Sequence, residues 1–363
     1  MGMRGLGSPA GNWCRTLALA LCLACASSHR TSRLDTPPEM HRDNADLESK
    51  NDEELFAIGS AAAQAGDDLR AAAAFEHLAE RFPASRRAPG ALYGAGLAWR
   101  NLERWDLALS RFRQLAREHT GAEAEEAGFL SAECLYRMGQ LAQAQAALDR
   151  LASSPGSGPA KRGRALTQRG VVELEQGRSD LAERSLESAL AQFRAAERSE
   201  RLERYYPAKA RFYLGEVYRA RFLAVNLDPS GKELEHKAQL LILAQARYLD
   251  AMRIGEVSWA VAAGGRVGEL YEELRTRMLE APPPAGLDDE EVRFYREQLH
   301  RSLDVLVSKA IVAYEETLLA AQRAGVENNF MPRVQEALNR MRQILTEEGA
   351  HESSAQADDS RDR

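Results

Sequence analysis

One spacing constrains this chain more than any other: a small residue, an alanine twelve positions later, and a large apolar residue four beyond the alanine, four times over. The small residues are Gly59, Gly96, Ala132 and Gly170, and the alanines are Ala71, Ala108, Ala144 and Ala182. The large residues are Phe75, Phe112, Leu148 and Leu186. Successive alanines stand 37, 36 and 38 residues apart. Gly66, Gly139 and Gly177 break the helical pattern between the two halves of three units, and Pro83 follows the first unit. A glycine inside a helix costs roughly 1 kcal/mol relative to alanine, so Gly96 in "LYGAGLAWRN" needs a reason to be there. Close approach of a second helix is that reason, with the large residue filling the gap beside the crossing. Gly94 lies on another face, outside the series, and reads as easing contact with a neighbouring helix.

Alanine, leucine, glutamate and arginine dominate a chain that is 44% hydrophobic and 28% charged, and no long alternating Val/Ile/Thr stretch is present. An all-α fold follows. The small-residue series continues at Gly215 and Gly268, and an aromatic stands three residues after the glycine in "GLAW", "GEVY" and "GELY", at Trp99, Tyr218 and Tyr271. This unit resembles the tetratricopeptide repeat, a pair of antiparallel helices of about 34 residues. The resemblance covers about residues 51–345 and implies a right-handed superhelical solenoid of helix pairs. Four repeats are expected over 51–200, then two or more degenerate ones over 201–345. In that second stretch "AVNLDPSGKELEHK" inserts a loop before a helix near 238–254, and Ala310 and Tyr314 keep the spacing of four in a long helix of about 288–323. An amphipathic helix of about 332–345 caps the open end, and an acidic tail, 346–363, reads as disordered.

Residues 1–24 read as a signal peptide: Arg15, the apolar run "LALALCLA" at 17–24, then polar sequence. Eight apolar residues cannot span a bilayer. Ala24 and Cys25 resemble the lipobox of bacterial lipoproteins, with Cys22 where leucine is usual, which implies lipidation of Cys25 and a flexible tether over 25–50. The alternative is an ordinary secretory signal cut near Ala26, giving a soluble periplasmic protein. Cys14, Cys22 and Cys25 fall in or at the end of the leader, so Cys134 is left alone and reads as a small buried residue.

Catalytic motifs are missing from the sequence, and its seven histidines are scattered, so neither an enzyme, a metal site nor a cofactor is expected. A net charge of −6 argues against nucleic acid. The basic run "KRGR" at 161–164 reads as a solvated loop and helix start. Function is therefore expected from the inner face formed by the first helix of each repeat. Phe56, Tyr93, Phe129 and Phe212 recur at one repeat position, with Thr167 in the fourth repeat. Arg100, Asn101, Tyr136, Arg137, Glu216 and Arg219 join them on that face as candidate partner-binding residues. The alternative for the aromatics is packing inside the superhelix. Together with the leader, the architecture resembles envelope-assembly lipoproteins of the outer membrane in Gram-negative bacteria, and the C-terminal module resembles repeat proteins of gliding-motility machines. These resemblances imply a non-catalytic scaffold that faces the periplasm and binds protein segments, held to the membrane by lipid, with no small-molecule substrate. The runner-up is a recruiting subunit of a periplasmic, cell-wall enzyme.

Overall fold

The computed structural model describes residues 46–198, 202–227, 232–325 and 330–359. The chain divides into two units, Met1–Ser49 and Lys50–Arg363. In the first, residues 46–49 form a turn, and the signal peptide, Cys25 and nearly all of the expected tether lie outside the described residues. The second unit is helical throughout its described residues, with thirteen helices and no strand.

Eight helices make the first four pairs: α1 (Asp52–Ala65) with α2 (Asp68–Arg81), α3 (Ala88–Asn101) with α4 (Trp105–Glu118), α5 (Ala122–Arg137) with α6 (Leu141–Ser153), and α7 (Pro159–Glu175) with α8 (Ser179–Ala196). Asn51 opens α1 with a capping box, accepting from the Glu54 amide at 2.9 Å while Glu54 accepts from the Asn51 amide at 3.0 Å. Between the helices of three pairs the chain turns through left-handed glycines, Gly66, Gly139 and Gly177. The same turn of the second pair falls on Glu103, whose φ of 57° makes it the one non-glycine residue in that region among the described residues. A side chain held there is strained by about 1–2 kcal/mol. Glu103→Gly is therefore expected to raise stability by about 0.5–1 kcal/mol in denaturant titration, part of the relief being offset by the freer unfolded chain.

Ala71, Ala108, Ala144 and Ala182 are all fully buried. Each glycine of the series in these pairs faces the large residue of the second helix: Gly59 the Phe75 ring, Gly96 the Phe112 ring, and Gly170 the Leu186 side chain. A methyl group added at Gly59 would sit 2.7 Å from Phe75, too close for any real contact. Gly94 meets the same Phe75 from the following repeat, at 2.6 Å for an added methyl, so one ring occupies the space of two glycines on two helices. Behind these contacts Glu76 is buried, accepting from Trp99 Nε1 at 2.7 Å and from Arg111 Nε at 2.8 Å, and ties the first pair to both helices of the second.

Longer helices follow: α9 (Tyr205–Ala224), α10 (Lys232–Arg253), α11 (Val257–Glu280), α12 (Asp289–Arg323) and α13 (Phe330–Asp359). The small-to-large contact persists across longer loops, with Gly215 against Tyr248 and Gly268 against Tyr314. Both tyrosines are buried and donate their hydroxyls to carboxylates, Tyr248 to Glu216 and Tyr314 to Glu272. Ala244 and Tyr248 repeat the spacing of four seen in the first repeats, which the sequence reading missed in this helix. Helix α10 starts at Lys232, earlier than expected, and Lys237 bonds the Phe222 and Val225 carbonyls at 2.6 and 2.8 Å, closing the end of α9. The closing helix α13 packs Val334, Ala337, Leu338 and Met341 into the core and continues to Asp359, through most of the stretch read as a disordered tail.

Candidate partner-binding site

Odd-numbered helices, the first of each pair, pack on one another through the unit: α1 on α3, α3 on α5, α7 on α9, α9 on α11 and α11 on α13. Helices α5 and α7 are the successive pair whose backbones do not approach in this way. Side chains bridge them instead. Lys161 pairs with Glu125, Arg164 grips Glu126 with one nitrogen at 2.6 Å, and the Tyr136 hydroxyl donates to Glu175 at 3.2 Å. The "KRGR" run is thus partly a brace between two helices rather than a wholly solvated loop.

A cavity of about 350 Å³ opens at this spread, lined from α5, α6, α7, α9 and α11. Phe129, Tyr136, Tyr205, Tyr206, Tyr213 and Trp259 give it aromatic walls. Helix α9 supplies most of the newly found residues because Tyr206, Lys209 and Tyr213 fall at helical spacing on one face. Arg164 stacks over Phe129 and Tyr206, at 4.1 and 4.9 Å from the ring centres, and fixes the α7 wall. Trp259 stands against Tyr205, Phe212 and Tyr213, with ring centres 5.1 to 5.8 Å apart. Burial holds the hydroxyls of Tyr205, Tyr206 and Tyr213 protonated above the usual phenol range.

Lys209 is the charge at the centre. Its ammonium donates to Gln168 at 2.8 Å and lies 5.8 Å from the ring centres of both Tyr213 and Trp259. Burial pushes its pKa down to about 8, against the pull of Glu133. Glu133 and Arg137 also line the cavity, and neither has an ion-pair partner among the described residues. Arg137 is exposed and lies over Trp105 at 5.4 Å.

Of the residues singled out from sequence, Phe129, Tyr136 and Arg137 meet at this cavity. The other seven do not. Phe212 is buried in the core against Tyr248, and Phe56 and Tyr93 are half-buried, 5.7 and 6.2 Å from the rings of Phe75 and Phe112. The inside-packing alternative applies to Phe212 because its position in α9 turns it towards α10. Glu216 accepts from Tyr248 and pairs with Arg266 at 2.9 Å, and Arg219 is bound to Glu273, so both are used up in holding α9, α10 and α11 together. Asn101 is exposed and donates to Asp68 at 3.0 Å, while Arg100 is half-buried away from the cavity. Thr167 is buried and bonds the Gly163 carbonyl one turn back. Tyr205, Tyr206, Lys209, Tyr213 and Trp259 were missed, although "YYPAKARFY" carries three of them on one helical stripe.

Residues 90–121 and 126–157 match the family model of the tetratricopeptide repeat. Repeats two and three are thus similar to tetratricopeptide repeats. They coincide with the α3–α4 and α5–α6 pairs, so the second of them supplies the α5 wall of the cavity. No curated protein matches the chain. Among solved structures, the chain is similar to the apo form of RapI at 11% identity, covering 82% of this chain and 99% of that one, with a TM-score of 0.46. It is similar to MamA at 15% identity, covering 54% and 91%, with a TM-score of 0.39. A tetratricopeptide repeat protein from Parabacteroides merdae is 15% identical over 80% and 98%, with a TM-score of 0.37. Tetratricopeptide arrays serve protein–protein interaction by presenting extended helical faces. Among the described residues no helix is long and apolar enough to cross a membrane, and no cluster of three His, Cys, Asp or Glu side chains is placed to hold a metal ion. Cys134 is buried in α5, and that burial pushes its thiol up to about 12, which disfavours the thiolate.

Proposed function

We propose that the protein is a non-catalytic scaffold of the bacterial cell envelope that holds a segment of a partner protein against the face of α5, α7, α9 and α11, during assembly of an outer-membrane or motility complex. The observation that carries this reading is the cavity between α5 and α7, where six aromatic rings and two cations meet on the first-helix face. Aromatic and arginine side chains are the types that concentrate binding energy at interfaces. The envelope location is our inference from the leader and from the resemblance of Ala24 and Cys25 to a lipobox, which supports a lipid anchor on the periplasmic side.

A photo-crosslinking residue placed in the native host at Tyr205, on the cavity rim, is expected to capture a partner, and one at Arg113, exposed on α4, is not. Tyr205→Ala should weaken that partner by about 2 kcal/mol while leaving the melting temperature nearly unchanged. The protein should fractionate with membranes and leave them on Cys25→Ser. Equal capture at Arg113 would move the site to the opposite side of the repeats, and a soluble wild-type protein would remove the anchor.

A further inference from the structure

One donor at the cavity serves fewer acceptors than it could. The Lys209 ammonium has three N–H bonds and donates one of them, to Gln168 at 2.8 Å, with no carboxylate in ion-pair reach. Lys209 Nζ stands 5.8 Å from the centre of the Trp259 ring, within reach of the same cavity wall. A buried cation without a counter-ion is costly, and a protein that keeps one gains only if an anion arrives.

We propose that the cavity takes an acidic side chain of the bound segment, with its carboxylate accepting from the Lys209 ammonium. This rests on the reading that the face binds a partner segment, and it names the chemistry of the residue that enters. Charge points the same way. The lining carries Lys209 and Arg137 against the single acid Glu133, while Arg164 is already neutralised by Glu126. The Phe129 and Tyr213 walls favour an aromatic or aliphatic neighbour beside the acid.

Selection on the full chain from a displayed library of random twelve-residue segments, each embedded so that it has no free C-terminus, reads the preference directly. The enriched segments should carry Asp or Glu beside an aromatic or aliphatic residue. Lys209→Met should abolish that acidic bias and Lys209→Arg should retain it. For the best synthetic peptide, changing the acid to its amide should weaken binding about tenfold or more on the wild type, read by titration calorimetry, and have no effect on Lys209→Met. The melting temperature of Lys209→Met should be unchanged or higher. Enrichment without acidic bias, or equal affinity for acid and amide peptides, would overturn this inference and leave the scaffold reading standing. No enrichment of any segment would overturn both. A lower melting temperature for Lys209→Met with an unchanged peptide preference would assign the ammonium to its Gln168 contact and also overturn it.

Discussion

Phe112→Ala is expected to cost about 3–5 kcal/mol of stability, the range for emptying a fully buried aromatic site. The ring is completely buried and occupies the space above Gly96, so nothing nearby can fill the hole without moving a helix. The more telling measurement is the change of sign at Gly96. In the wild type, Gly96→Ala drives a methyl group into the Phe112 ring and should cost about 1–3 kcal/mol by overpacking. In a Phe112→Ala background the clash is gone, and the same substitution should stabilise by up to about 1 kcal/mol, because alanine is the better helix former. Denaturant melts of the two single variants and the double variant form the cycle. Gly96→Ala harmful to the same extent in both backgrounds would mean that the glycine serves some purpose other than this crossing.

Glu76→Ala should cost about 3 kcal/mol, although the side chain belongs to no binding site. Its carboxylate is the shared acceptor of Trp99 Nε1 and Arg111 Nε, both donors well shielded from solvent. Removing it leaves a buried indole N–H unmade and a guanidinium with Gln114 at 3.2 Å and, as the one remaining carboxylate, Glu80 at 3.7 Å. Glu80 is largely exposed, which places the expected loss at the low end for a broken buried pair. Glu76→Gln retains an oxygen for Trp99 and loses the charge that holds Arg111, so it should cost about half as much. Equal losses for the two variants would place the whole effect in the ion pair. Because stacked repeats contact only their neighbours, the loss should appear as local opening of α2, α3 and α4 in hydrogen exchange.

Both predictions concern contacts that were within reach of the sequence. A glycine sixteen residues before a phenylalanine, with a turn between, places two helices antiparallel and names the pair that touches, as at Gly59 and Phe75 or Gly96 and Phe112. Helical period and the steric cost of a side chain at a crossing suffice for that. The turn residues were legible for the same reason, except where Glu103 takes a glycine's conformation. After residue 200 the partner of the glycine moves to 33 residues away at Tyr248 and 46 at Tyr314, and the fixed spacing no longer points to it. The local signature of alanine followed four residues later by tyrosine, at Ala244 and Tyr248, survives and could have found the first of these.

The site was legible only in part. Repeat position found Phe129, and helical spacing added Tyr136 and Arg137, but the same rule chose Phe212 where its neighbour Tyr213 lines the cavity. A one-residue difference on a helix turns a side chain by about 100°, and a degenerate repeat shifts the register by that much without leaving a mark in the pattern. Sequence by itself determined an all-helical chain, the pairing of its first eight helices and the residues that meet within each pair, because those contacts depend on local period and on sterics over sixteen residues. Only the tertiary structure decided that α5 and α7 stand apart, that Lys161, Arg164 and Tyr136 bridge them, and that Lys209 and Trp259 come to face the same space. The width of that gap is set by how successive helix pairs pack on one another, a sum of small angles and side-chain volumes that no single stretch of sequence contains.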